Sequence, residues 1–191
     1  MSHLGLLVCA LLLAHPPTEL LTLEIRVFAG TEDVTGETRV TVHRAGERGQ
    51  PVGRVAAIEP RVLVKVPPGI YDVQAVRERD GRVLNIRWAQ RLVVMPYPDE
   101  AGHHLEVINF TTGFGALQIR PQTERAAAAL SVALFSEGSH DQAIAAAPGD
   151  GYTLYVVPAG LYDIQVTRNN RSTRHKAVEV PLDRTRLWIV P

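Results

Sequence analysis

Thiol chemistry is all but missing from this sequence. Its single cysteine, Cys9, leaves no partner for an intrachain disulfide and excludes metal sites built on cysteine. Lysine is scarce as well: two lysines accompany 18 arginines, and these 20 basic residues are matched by 20 acidic ones. A chain without net charge has no global field to steer it to nucleic acid or an anionic membrane. Aromatic residues make up only 6%. No long apolar run occurs. The longest, Leu4 to Ala14 with Gly5 inside it, falls short of the roughly 20 residues that a bilayer-spanning helix needs.

That short run suits the hydrophobic core of a signal peptide, although Met1-Ser2-His3 supplies no positive charge. Residues 1–18 are therefore read as a signal peptide cleaved near Ala14 to Thr18, with no membrane span after leader removal. The expected location is periplasmic or extracellular, or cytoplasmic if the leader is not a signal peptide.

One stretch occurs twice. Val66-Pro67-Pro68-Gly69-Ile70-Tyr71-Asp72-Val73-Gln74-Ala75-Val76-Arg77 returns 91 residues later as Val157-Pro158-Ala159-Gly160-Leu161-Tyr162-Asp163-Ile164-Gln165-Val166-Thr167-Arg168, with seven of twelve positions identical. Proline fixes φ and donates no backbone hydrogen bond, so Pro67-Pro68 and Pro158 end a strand. Gly69 and Gly160 follow, where a tight turn calls for positive φ. Alternation then sets in. Tyr71, Val73 and Ala75 point one way, as do Tyr162, Ile164 and Val166; Asp72, Gln74, Asp163 and Gln165 point the other. Both tyrosines are expected in the core with their hydroxyls on polar partners. The two aspartates are expected outward, where they could cap the adjoining turn.

The Pro-x-Gly-x-Tyr pattern resembles the signature of small β-sandwich modules of the carboxypeptidase regulatory-like (transthyretin-like) type, which occur in secreted and cell-surface bacterial proteins. The resemblance implies a module that is mostly non-enzymatic and brings no general catalytic set with it. Flanking periodicity extends the pattern. Strands are predicted at Leu23–Val27, Val40–His43, Val52–Ile58, Arg61–Val66, Ile70–Arg77, Val83–Val94 and Leu105–Ile108, with Asp80-Gly81 as a two-residue hairpin. The second set is Leu117–Arg120, Val132–Leu134, Gln142–Ala146, Tyr152–Val157, Leu161–Arg168, Thr173–Val180 and Arg186–Val190, with Asn169-Asn170 at the hairpin. The expectation is an all-β chain: two tandem seven-stranded Ig-like or transthyretin-like antiparallel sandwiches, at residues 19–110 and 111–191, related by an internal repeat. Thr111 to Gly115 is a short connection, so the two should touch.

Candidate chemistry is thin. Ser139-His140-Asp141 holds the residue types of a triad, but neighbours in sequence cannot face one another as a triad must, and a polar loop is expected. His103-His104, His43 and His175 lack metal-ligand spacing, and no calcium-loop pattern exists, so no metal or other cofactor is expected. Arg168, Arg171 and Arg174, with His175 and Lys176, form a basic hairpin; Arg77, Arg79, Arg82 and Arg87 occupy the same place in the first half. The plain reading is a charged hairpin that blunts an edge strand. Trp88 lies in core phase with Leu84, Ile86, Leu92 and Val94. Trp188 aligns with Glu106 on the face opposite Leu187 and Ile189, beside Arg186, where it could meet a sugar or the other module.

The sequence thus points to a non-catalytic exported binding or assembly protein of the bacterial envelope. Its partner would be an unidentified protein or polysaccharide. Trp188, Arg186, Arg168, Arg171 and Arg174 are the residues placed to make contact. The alternative is a carbohydrate-binding accessory module acting through Trp188 and nearby tyrosines.

Overall fold

A computed structural model describes residues 19–55, 61–96, 103–122, 130–149 and 151–190. The leader read at residues 1–18 and the end of the strand expected through Ile58 lie outside these residues. Among them the fold is all β, apart from one 3-10 turn at Thr35–Glu37. The first half contains β1 (Leu21–Ala29), β2 (Glu32–Asp33), β3 (Thr38–Arg44), β4 (Pro51–Val55), β5 (Val62–Val66), β6 (Gly69–Arg79), β7 (Arg82–Val94) and β8 (His103–Asn109). The second contains β9 (Phe114–Pro121), β10 (Leu130–Ser136), β11 (Ala147–Pro148), β12 (Thr153–Pro158), β13 (Gly160–Arg168), β14 (Arg171–Val180) and β15 (Thr185–Val190). Among the described residues no helix is long and apolar enough to cross a membrane.

The strands make four sheets, and their pairing repeats. β1 lies between β5 and β8 as β9 lies between β12 and β15; β6 lies between β3 and β7 as β13 lies between β10 and β14. Every pair is antiparallel except β1 with β8 and β9 with β15. Each of those final strands arrives by crossing from the opposite sheet, so no hairpin imposes an antiparallel direction.

Three apolar clusters follow from the alternation. One fills the first half with Leu23, Ile25, Val27, Val40, Val42, Tyr71 and Val73. Another fills the second with Leu117, Ile119, Leu134, Tyr155, Ile164 and Val180. The third uses the opposite phase of the central strands: Phe28, Leu105 and Val107 from β1 and β8 meet Ala116, Leu154 and Val156 from β9 and β12. The two central sheets therefore pack face to face, and the four sheets form four layers. Burying such faces at roughly 25 cal/mol per Å² is the main force joining the halves.

The repeated stretch closes on itself. Tyr71 is fully buried and its hydroxyl donates to the Pro67 carbonyl at 2.5 Å; Tyr162 donates to Pro158 at 2.7 Å. The glycines between them do not take positive φ, contrary to the turn expected there. Gly69 leaves room for the ring instead, since a Cβ there would stand 3.3 Å from the Tyr71 hydroxyl oxygen; one on Gly160 would lie at ordinary contact distance, 3.9 Å, from the Tyr162 ring. Positive φ occurs in the β6–β7 and β13–β14 hairpins, at Asp80 and Gly81 and at Asn169 and Asn170, as the hairpin signals require.

Asp72 and Asp163 lie on the phase opposite the core residues flanking them, as expected, but are buried there instead of solvated. Each sits at a register shift of its strand. Asp72 accepts from the Arg91 amide at 2.9 Å and the Gly46 amide at 3.1 Å; Asp163 accepts from Ala177 at 3.1 Å and Gly138 at 3.3 Å. Arg91 and Ala177 are the bulged residues, both with positive φ, at 56° and 54°. One side chain thus pins a bulge on one neighbouring strand and a turn on the other.

Two further expectations change. Gln142–Ala146 is not a strand: Ile144 makes a single bridge to Leu134, and pairing resumes at β11. Trp88 is not in the core. The bulge at Arg91 reverses the phase of β7, so Leu92 and Val94 face inward while Trp88, paired with Gln74, lies on the outer face. There it meets His43, with ring centroids 5.6 Å apart, and carries the Arg48 guanidinium at 4.8 Å.

Candidate functional site

The basic hairpin of the second half is largely committed to its own module. Arg174 pairs with Asp163 at 3.3 Å, donates to the Ser139 carbonyl, meets the His140 ring and lies 5.0 Å above Phe135. That arrangement also answers the Ser139-His140-Asp141 sequence, whose first two residues serve as an anchor for arginine. Arg186 bonds the Glu179 carbonyl at 3.2 Å. Arg168 and Arg171 flank an open concavity shared with Asn169, Thr173 and His175. In the first half the corresponding arginines form ion pairs: Arg77 with Glu37 at 2.6 Å and Arg87 with Asp183 at 2.5 Å.

Trp188 does not point away from the second core. It pairs with Ile119, packs against that core half-buried, and meets His175 edge to face at 4.8 Å. Its neighbour Leu187 pairs with Gln118 and faces the first half, while Ile189 is 39% exposed. The apolar residues flanking Trp188 mark the junction and the surface, not the core. Of the five positions, Arg168 and Arg171 line the concavity whose His175 meets Trp188, whereas Arg174 and Arg186 are engaged with Asp163 and Glu179.

What does converge is the junction, which sequence periodicity left as a solvated face. Glu24 on β1 is fully buried beneath the second half. Arg61 donates to both its oxygens at 3.2 Å, and the Tyr152 hydroxyl reaches it from the other half at 2.9 Å. Burial first, and then the Glu24 carboxylate, pushes the Tyr152 phenol up to about 12. Arg26 pairs with Asp33, and Arg120 lies 5.7 Å above the Tyr152 ring. The Val107 amide donates to Thr185 Oγ1 at 2.8 Å, and Arg184 donates to the Gln90 carbonyl at 2.9 Å.

Beside this network, at the open edge between β7 and β8, lies a cavity of about 270 Å³. Residues of the second half close it from above: Gln118, Arg184, Thr185 and Leu187. Glu106 stands in its wall, buried, and its Oε1 has no partner among the described residues. Burial pushes its carboxyl up to about 8, against the opposing pull of Arg184 and the Thr185 amide. Burial thus favours the neutral acid, which is able to donate a hydrogen bond. His104, also in the wall, has its Nε2 2.6 Å from the Met95 carbonyl. No group of three or more His, Cys, Asp or Glu suited to a metal ion occurs among the described residues.

No protein-family model matches the sequence, and no curated protein matches it. Several solved structures align over most of the chain. The TIE protein of Bacillus anthracis does so at 16% identity over 88% of this chain, with a TM-score of 0.33, and this chain spans 33% of that protein's length. The tip fimbrial protein Mfa3 of Porphyromonas gingivalis aligns at 10% identity over 90% of this chain and 94% of its own, with a TM-score of 0.33. GBS52, the minor pilin of Streptococcus agalactiae, aligns at 10% identity over 89% and 94%, with a TM-score of 0.29. Likeness at this level assigns neither family nor function.

Proposed function

We propose that the chain is a non-catalytic binding or assembly protein of the bacterial envelope, exported by its leader and built from two β-sandwich modules held as one stiff body. The face-to-face packing of the two central sheets carries this reading. It spends the faces that a free-standing module would expose, and it buries Glu24 and Tyr152 in a bond between modules. Such a joint fixes the two loop-bearing ends at a set distance, which suits a spacer or display element. The Pro-x-Gly-x-Tyr resemblance to modules of bacterial surface proteins supports it. The side chains of Arg174 and His140 and the backbone carbonyl of Ser139 are engaged in holding the β13–β14 hairpin to its neighbouring loop.

The test combines location with binding. Fractionated cells should hold the mature chain outside the cytoplasm, and purified protein should bind one envelope polysaccharide or surface protein saturably without consuming it. Cytoplasmic protein with an intact Met1 or Ser2 terminus would contradict export. Turnover of an ester, peptide or glycoside by the pure protein would contradict the non-catalytic reading.

A further inference from the structure

The internal repeat provides its own control for the cavity beside Glu106. Glu106 pairs in register with Ile25 on β1, and Trp188 pairs with Ile119 on β9. The two residues hold equivalent places at the inward face of the last strand. In the second half an indole fills that place and packs on the core. In the first half a shorter side chain stands there, ending in a polar atom without a partner, and about 270 Å³ is left beside it. Buried polar groups in folded proteins are almost always satisfied, so an orphaned carboxyl oxygen at a cavity is a place for an ordered water or a ligand atom that displaces it.

The chemistry of the walls selects the ligand. Leu92, Val94, Leu105 and Leu187 offer apolar surface, whereas Arg91 and Arg184 line the same cavity and are exposed, on its solvent side. Two guanidinium groups at the mouth repel a cation and attract an anion. We propose that this cavity binds a small aliphatic carboxylate, its carboxylate group held between Glu106 and Arg184 and its alkyl chain laid along the leucines. Glu106 enters the complex as the neutral acid and donates its proton to a ligand oxygen in a hydrogen bond. No proton leaves and no bond is made or broken. The size suits a ligand of a few heavy atoms, just below the pockets of about 300–1,000 Å³ that hold larger ligands.

Binding then depends on pH through Glu106. Arg91, Arg184 and His104 are the other charged or titratable groups lining the cavity, and Arg184 opposes the raised pKa of the acid. Above about 8 Glu106 ionises, and two carboxylates facing one another repel; affinity should fall about tenfold per further pH unit.

The probes are sodium n-butyrate and n-butylammonium chloride, titrated into the whole protein while backbone amide shifts are followed by NMR. Butyrate should shift the Leu92, Val94 and Thr185 amides saturably at pH 6.5, and more than tenfold higher concentrations should be needed at pH 9.5. Glu106→Gln keeps a donor but cannot ionise, so it should still bind butyrate and lose the pH dependence. Arg184→Met should weaken binding about tenfold. The proposal is overturned if butyrate moves none of these amides, if butylammonium binds in its place, or if Glu106→Gln binds with the parent's pH dependence. The amide spectrum of each variant also reports whether it is folded, so loss of binding is read only from a folded protein.

Discussion

At the scale of single residues, the repeated Tyr and Asp do different work from adjacent positions. Each tyrosine hydroxyl returns to a proline carbonyl four residues earlier, tying the turn to the strand it starts. Tyr71→Phe removes that bond alone and should cost about 1 kcal/mol, whereas Tyr71→Ala also empties the core and should cost about 3–5 kcal/mol. Urea unfolding of the two variants would check the difference; equal losses would mean that the hydroxyl bond, not the ring, dominates. The aspartates make a pH prediction. Backbone amides, led by Arg91 for Asp72 and Ala177 for Asp163, hold both carboxyls below the ordinary aspartate value of 3.8. A depressed folded pKa means that this stabilisation is complete above the unfolded value and lost as pH falls through the folded one. The urea midpoint should therefore drop below about pH 4, and Asp72→Asn with Asp163→Asn should flatten that drop. The tyrosine positions were legible in the sequence because a core phase of two is a local signal. The role of Gly69 was not, because the ring it accommodates comes from the fold of the same turn.

At the scale of elements, the bulges decide what alternation could not. A single extra residue inverts the face of everything beyond it. The run Leu84, Ile86, Trp88, Leu92 and Val94 reads as one phase, but Arg91 breaks it, and only Leu92 and Val94 reach the core. Trp188 was misplaced for another reason. Leu187 is half-buried facing the other half and Trp188 half-buried against its own core, so both phases of β15 carry apolar residues. Alternation shows that a face is buried without showing what buries it. The bulge in β14 also offers a stabilising change. Ala177 holds φ at 54° on an exposed position, a conformation that costs a residue with a Cβ about 1–2 kcal/mol. Ala177→Gly should relieve it at some cost in chain entropy and raise stability by about 1 kcal/mol. A lower melting temperature for that variant would show that the methyl group contributes packing there.

At the scale of the molecule, the succession of strands was readable, Gln142–Ala146 excepted, because the repeat supplies it twice, but the parallel pairing of β8 with β1 and of β15 with β9 was not. The junction was not, because Glu24 and Arg26 are charged residues on a strand, a pattern indistinguishable from a solvated face until a second sheet covers it. The one hint lay in the alignment of Glu106 with Trp188, a charge where the repeat has an indole. Removing a single hydroxyl tests whether the joint contributes to stability. Tyr152→Phe takes a donor from buried Glu24 and should cost about 1.5–3 kcal/mol, seen as a lower urea midpoint for the whole chain.

The central claim is that both halves move as one body, joined through the two central sheets. Residual dipolar couplings of backbone amides, measured on the whole chain in one weakly aligning medium, test it directly. A single alignment tensor should fit the strand residues of β1–β8 and of β9–β15 together, with the same magnitude and rhombicity as when each half is fitted alone. Two tensors of different magnitude, one for each half, would show that the halves reorient independently and would contradict the account.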